Sequence, residues 1–382
     1  MPKKTQLYEW HESRSQIVEF AGYMMPIMYS SIKEEHLAVR EKVGMFDVSH
    51  MNRMFISGKD STSFLNYLLP RDIEKVPIGN CAYTMALNEL AGIRDDLVVI
   101  RLEETRYLMV WNAANYEKIK NWFTSVLEFV SKYCTVDVKI EDISDSSSMF
   151  ALQGPAAAKI LEKTFGSDLP GRWKHKLYDV NDIKVLVSGT GYTGEAGAEI
   201  TVFDTTVENP ANALKIWELI MEKGKDYGLV ACGLGARDSL RMEAGYCLYG
   251  NDIDEVTSPV EADLFFPPFI HVDKSFFIGK AMLEGKAKTQ TKIRLGFVCE
   301  KKGPSPRRGA ILSDESGQEV GMVTSGGFSP LLNIGIGFAY VDKDKAKPES
   351  ALFTTIRNKE VKVILKKFPL YDEEKYGFRR SN

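Results

Sequence analysis

A chain of 382 residues, 44% hydrophobic and 26% charged, can bury a sizeable core and is expected to fold as about two or three domains. Its net charge of -3, with no basic run standing out from the interspersed acids, argues against a nucleic-acid partner, and no window approaches a membrane span or a secretory signal. The five cysteines are widely spaced without a Cys-x-x-Cys, so neither a disulfide framework nor a metal site is expected, and they fit a reducing, cytoplasmic setting.

In chain order, Phe20-Ala21-Gly22 with Met25-Pro26 reads as a buried turn or a pocket wall. Ser31 with Glu34 makes a capping box for a helix in which Ile32, His36, Val39 and Val43 recur at helical spacing, with Gly44 as its stop. His50, in the strand-edge run Met45 to Met51, can be a satisfied core histidine or a catalytic one. A helix over 61–69 follows, then strands pairing 83–87 with 93–100 around the turn at Asn88 to Gly92. Asp95 and Asp96 open the second of these strands. Neighbouring strand side chains point to opposite faces, so the two acids should not share a pocket: one belongs in solvent and the other can turn inward.

The stripe Ile119, Trp122, Phe123, Val126, Phe129 and Val130 predicts a helix packed on a core, and 135–140 and 148–152 read as strands. Gly154-Pro155 is expected to open a helix with proline at its first position. Strands over 174–180, 183–188 and 198–203 and a helix over 211–223 then repeat the earlier order in part, which suggests two similar α+β units. Gly189-Thr190-Gly191-Tyr192-Thr193-Gly194 matches G-x-G-x-x-G, yet the residues after it continue as a strand, so no helix N-terminus is available for a pyrophosphate. Arg237 and Arg241 stand one turn apart on a short helix. They could clamp a carboxylate or heterocycle, or pair internally with Asp238 and Glu243. The acidic turn Gly250 to Glu255 lacks EF-hand spacing, and a polar connection is expected between Gly279 and Lys292. Beyond it, six short strands separated by turn residues imply a small barrel or sandwich.

Read together, these motifs resemble the aminomethyltransferase family, the T-protein of the glycine cleavage system and its tetrahydrofolate-dependent demethylase relatives. The resemblance is carried by Gly44-Met45-Phe46-Asp47-Val48-Ser49-His50-Met51, Asp95-Asp96-Leu97, Leu152-Gln153-Gly154-Pro155, Thr190 to Glu195, Gly233 to Asp238, Leu248 to Asp252 and Thr324 to Pro330. It implies an α+β fold with two related ferredoxin-like lobes forming a folate-binding unit, plus a C-terminal β-barrel, the three lobes surrounding a central channel. Expected boundaries are 1–145 and 146–285 for the two interleaved parts of that unit and 286–382 for the barrel. By matched position, Met51, Tyr83, Asp96, Asn112, Tyr192, Glu199 and Arg237 would hold tetrahydrofolate, with Asp96 also catalytic and no metal required.

The implied reaction passes an aminomethyl group from a lipoylated carrier protein to tetrahydrofolate, with Asp96 assisting proton movement and stabilising a developing cation. Four departures from the family pattern bear on the substrate: Asn52-Arg53, Arg94, Gly189 and Phe266. Pro70-Arg71-Asp72 is similar to the demethylase branch. Arg94, two residues before Asp96, should share its face and lower its pKa or meet an anionic substrate. The alternatives to a T-protein are therefore a demethylase acting on a free small methyl donor, and a non-catalytic folate-binding protein.

Overall fold

The computed structural model describes residues 1–380. Its framework is two antiparallel-rich sheets that face one another, each covered outside by helices, with a closed barrel at the C-terminal end. The first sheet has five strands in the spatial order Cys81–Leu87, Ile93–Glu103, Arg106–Trp111, Asn52–Ser57 and Lys139–Asp142. One face of it, with Leu97, Val99 and Met109, packs on the helices Ser61–Leu68 and Tyr116–Ser131 through Phe64, Leu65, Ile119 and Phe123. The second sheet, of six strands, includes Ser147–Gln153, Ile183–Ser188 and Gly197–Phe203, and its outer face packs on Ala157–Phe165 and Ala211–Gly224. Between the sheets lies an apolar layer drawn from both, with Ile100 and Val110 on one side and Met149, Ala151 and Leu186 on the other.

The two sheets interleave in sequence. The early strand Gly44–Asp47 joins the six-stranded sheet, between Ser147–Gln153 and the parallel strand Val230–Cys232. Gly44 is therefore a strand residue and not a helix stop: the helix Ile32–Glu41 ends at the cap Lys42, and a Cβ on Gly44 would lie 2.5 Å from Cys232 Sγ and Val39 Cγ2. The N-terminal end of that helix is as expected, with Ser31 accepting from the Glu34 amide.

Other expectations shift. The segment expected as a strand over 135–140 forms one only at Lys139–Asp142, and the helix after Gly154-Pro155 begins at Ala157, leaving Pro155 outside it. On Tyr116–Ser131 only Ile119 and Phe123 are fully buried, and Phe129 is exposed. The supposed polar connection is the helix Lys280–Thr289, which Leu283 anchors among Leu87, Ile93 and Phe277. Six strands, Lys292–Cys299, Ile311–Ser313, Glu319–Ser329, Ile334–Asp342, Ala351–Ile356 and Lys359–Lys366, then close into a barrel, because the first pairs with both Ile334–Asp342 and Lys359–Lys366. Phe297, Val323, Leu352 and Val363 fill it. Among the described residues no helix is long and apolar enough to cross a membrane.

A buried charge network ties these parts together. Arg40, wholly buried, donates to Glu243 Oε2 at 2.9 Å, to Glu195 Oε1 at 2.9 Å and to the Thr193 carbonyl at 2.8 Å, and its guanidinium stacks on Tyr371. Glu243 also meets His36 Nε2 at 3.0 Å and the barrel residue Ser329, while Glu195 accepts from Gly377 and Arg380 near the C-terminus. Burial would raise the Glu243 carboxyl, but the His36 bond and the charges beside it hold it below its ordinary value. Its contribution to stability is therefore full above the unfolded carboxylate pKa and lost as pH falls through the lower folded one. Replacing Glu243→Gln leaves the Arg40 charge short of a partner and should cost about 3 kcal/mol in urea unfolding at neutral pH. A loss under about 1 kcal/mol, within the range of an exposed pair, would contradict this reading.

Candidate active site

One cavity of about 660 Å³ takes its wall from both sheets, from the barrel through Arg294 and from the C-terminal segment through Phe368 and Tyr371. The seven residues expected at a ligand site, Met51, Tyr83, Asp96, Asn112, Tyr192, Glu199 and Arg237, all line it. They come from five separate stretches of chain, and it is the pairing of the sheets that brings them together.

The two acids are placed by the register of the first sheet. Asp96 lies opposite Met85 and Tyr83 opposite Val98, so Tyr83 is the diagonal neighbour of Asp96 on the cavity face. Its hydroxyl donates to Asp96 Oδ2 at 3.1 Å. Asn112, just past the strand Arg106–Trp111, gives its side-chain amide to Asp96 Oδ1 and to Asp95 Oδ1, each at 2.7 Å. Burial pushes the Asp96 carboxyl above its ordinary value, partly opposed by the bonds from Asn112 and Tyr83. Burial and then the adjacent charge of Asp96 push Asp95 well above it too.

Asp95 is not in solvent. It is wholly buried on the helix-facing side, where Asn115 Nδ2 at 2.8 Å and the Asn112 backbone amide at 3.1 Å also bond it. Because helices cover the outer face of this sheet, alternation moves Asp95 out of the cavity without moving it into water. Nor do the acids stand apart, since Asn112 joins them around the strand end. Arg94 also departs from expectation. The register slips between Ile93 and Asp95, making Arg94 the extra residue of a bulge, so it does not follow Asp96 onto the cavity face. It meets Glu89 and Glu255, each at 3.4 Å, and lies over Trp122.

The facing wall is aromatic and polar. The loop from Gly189 to Glu195 runs into the strand Gly197–Phe203, and a Cβ on Gly191 would come 2.1 Å from Gln153 Oε1, so these glycines serve close packing. The loop presents Tyr192, whose hydroxyl donates to the Cys247 carbonyl and whose ring stacks on Tyr246. Arg237 covers Tyr192 at 4.5 Å from its centroid, and its Nη1 is buried without a partner. Arg241, one turn on, pairs internally with Asp238 at 2.9 Å and Asp252 at 2.6 Å. Only Arg237 of the two is a cavity residue. Glu199 accepts from the Thr190 hydroxyl, and burial raises its carboxyl. His50 also lines the cavity, and burial together with the charge of Arg237 lowers it to about 3, leaving a neutral ring.

Among the departures from the family pattern, Arg53 is buried with its guanidinium on the carbonyls of Ser49, Met51, Ser144 and Ser147. Phe266 is exposed at the cavity rim against Phe269. A Cβ on Gly189 would lie 2.2 Å from the Gly171 carbonyl, and the next residue, Arg172, lines the cavity. Sequence reasoning missed Arg172, Tyr246, Cys247, Phe368 and Tyr371 as wall residues and Asn115 as a support for Asp95. For the last, two asparagines spaced three apart after a strand ending beside two acids were a usable signal; the others depend on long-range packing.

Comparison with known proteins bears on the same residues. The family model described as GCVT N-terminal domain matches residues 7–274, and the one described as glycine cleavage T-protein C-terminal barrel domain matches residues 292–372. The chain is 41% identical to a probable aminomethyltransferase of Pyrococcus horikoshii, with 100% of each covered. It is 40% identical to an aminomethyltransferase of Halothermothrix orenii, over 96% of this chain and 99% of that one. The crystal structure of glycine cleavage system aminomethyltransferase T from Bartonella henselae is similar over 99% of this chain and 100% of its own, with a TM-score of 0.85 and 32% identity.

The Tyr83 hydroxyl bonds the charged form of Asp96, so removing it in Tyr83→Phe should move the Asp96 titration upward. Carboxyl-carbon NMR of the labelled protein reads this directly, and a titration that does not rise would show that the bond is not made.

Proposed function

The chain belongs to the glycine cleavage T-protein family, and from that premise we propose that it transfers an aminomethyl group from a lipoylated carrier protein to tetrahydrofolate. The products are methylene-tetrahydrofolate, ammonia and the dihydrolipoyl carrier. The observation that carries this reading is Asp96, held by Tyr83 and Asn112 on the wall of a cavity lined by aromatic rings.

The lining suits such a ligand. A cavity of about 660 Å³ is in the size range of small-molecule sites, with Leu97, Val98 and Val110 as apolar wall for a flat heterocycle. Tyr83 and Tyr192 offer ring faces. Glu199 accepts from the amide and amino edge of a pterin. Arg237, with one buried N–H unpartnered, and Asn112 fix the ligand's orientation, and Met51 closes the apolar side.

Tetrahydrofolate supplies two nitrogens that take up the one-carbon unit. In the net change the carbon leaves both the lipoyl sulfur and its own nitrogen, and protons from the folate nitrogens pass to the departing ammonia and thiol. Asp96 is the group placed to hold a proton at this point. Its raised pKa narrows the gap to the working pH, which favours transfer in both directions. Its negative form stabilises positive charge on the reacting carbon, and the partly enclosed cavity strengthens that effect by excluding water.

The test is turnover of purified protein with tetrahydrofolate and aminomethyl-loaded carrier, reading ammonia and methylene-tetrahydrofolate together. Equal amounts of both are expected. If neither forms but a free methylated amine yields methyl-tetrahydrofolate, the demethylase reading replaces this one. Asp96→Asn should lower kcat by about 10² or more while tetrahydrofolate still binds, and near-normal kcat would remove Asp96 from the chemistry.

A further inference from the structure

Asn112 is held at every bonding group that faces the protein. Its backbone N–H meets Asp95 Oδ2 at 3.1 Å, its two side-chain hydrogens are directed to Asp95 and Asp96 at 2.7 Å each, and its carbonyl accepts from Asn52 Nδ2 at 2.7 Å. The two acids fix the amide's orientation, since only its nitrogen can donate to carboxylates. Asp95 and Asn52 are both wholly buried, and neither lines the cavity. Among the described residues no cation is hydrogen-bonded to Asp95: its donors are Asn112 and Asn115, both neutral, and Lys118 acts on it only through longer-range charge. Burying a carboxylate without a directly bonded counter-charge is costly, and a neutral residue of similar shape would pack there at lower cost. What the carboxylate provides is a pair of acceptors that pull the Asn112 amide into one orientation and keep its second hydrogen on Asp96 Oδ1. Asp96 Oδ2 then faces Tyr83 and the cavity.

We propose that Asp95 is a positioning residue for Asp96, acting through Asn112, and that Asn52 braces the same joint from the opposite side. The inference rests on Asp96 being the reactive acid of the proposed transfer. In Asp95→Asn the single remaining oxygen can accept from the side-chain amides of Asn112 and Asn115 or from the Asn112 backbone N–H but not from both, so a donor faces a donor on one side and the joint that holds Asn112 on Asp96 loosens. Asn112 is the one ligand-binding residue this disturbs, and the wall of Tyr192, Glu199 and Arg237 is untouched.

The experiment measures kcat and KM for tetrahydrofolate in Asp95→Asn, Asn112→Ala and the double variant, using the aminomethyl-carrier assay. Asp95→Asn should lower kcat about tenfold or more with KM within about threefold, and the double variant should be no slower than Asn112→Ala alone. Unchanged kcat in Asp95→Asn, or losses that multiply in the double variant, would overturn the proposal. If Asp95→Asn does not fold, Asn52→Ala gives the same test: a several-fold fall in kcat at constant KM supports it and no fall overturns it. A reading independent of turnover is hydrogen exchange of the Asn112 side-chain amide, followed by NMR. Slow exchange in the parent that is lost in Asp95→Asn supports the joint, and equal exchange in both overturns it. An inactive parent protein would therefore count against the transfer reaction while the exchange measurement still decides on the joint.

Discussion

Asp95 and Asp96 are adjacent on a strand whose two faces are both covered, one by helices and the other by a cavity, and the bonds from Asn112 to both carboxylates take the place of water on the covered side. Burial raises the cost of ionising both acids, and the charge of Asp96 adds to that cost at Asp95. The asparagine amide relieves part of that cost without neutralising either charge. A lysine or arginine there would have lowered both pKa values and made Asp96 a poorer proton acceptor and donor near neutral pH. The neutral clamp orients Asp96 and only partly offsets the rise that burial causes.

That clamp works only because the elements around it are fixed relative to one another, and here the Arg40 network is the main fastening. A single guanidinium holds Glu243 on the helix that carries Arg237 and Glu195 at the end of the loop that carries Tyr192. Glu243 in turn reaches Ser329 of the barrel, and Glu195 reaches the C-terminal segment that supplies Tyr371 to the cavity wall. The far wall of the cavity is thus positioned by charges outside it, of which Arg40 touches the wall through the Tyr371 ring. The apolar layer between the sheets supplies the cohesion, while this network sets the alignment.

Much of this arrangement was legible in the sequence where the physics is local. The hairpin around Asn88 to Gly92, the barrel strands and the reading of Gly189 to Gly194 as a loop before a strand all follow from pattern and turn chemistry, and each is present. The choice of Asp96 over Asp95 as the cavity acid came from resemblance, because alternation alone says only that the two diverge. What was not legible depends on the layer above. Alternation sends Asp95 to solvent only if the sheet is covered on one side, and it sets Arg94 beside Asp96 only without the one-residue bulge, which leaves no mark in a single sequence. Leu283 converts a polar-looking connection into a docked helix through a single buried side chain. The contributions of Phe368 and Tyr371 come from a C-terminal segment far along the chain from any wall residue outside it except the barrel's Arg294, and only the closure of the barrel brings them in.

The most direct test is the structure of the protein crystallised with tetrahydrofolate. The account expects the pterin in this cavity with its amino edge on Glu199, its reacting nitrogen within hydrogen-bond distance of Asp96 Oδ2, and Asn112 still bridging the two acids. A folate seated elsewhere, or one whose reacting nitrogen lies out of reach of Asp96, would contradict it.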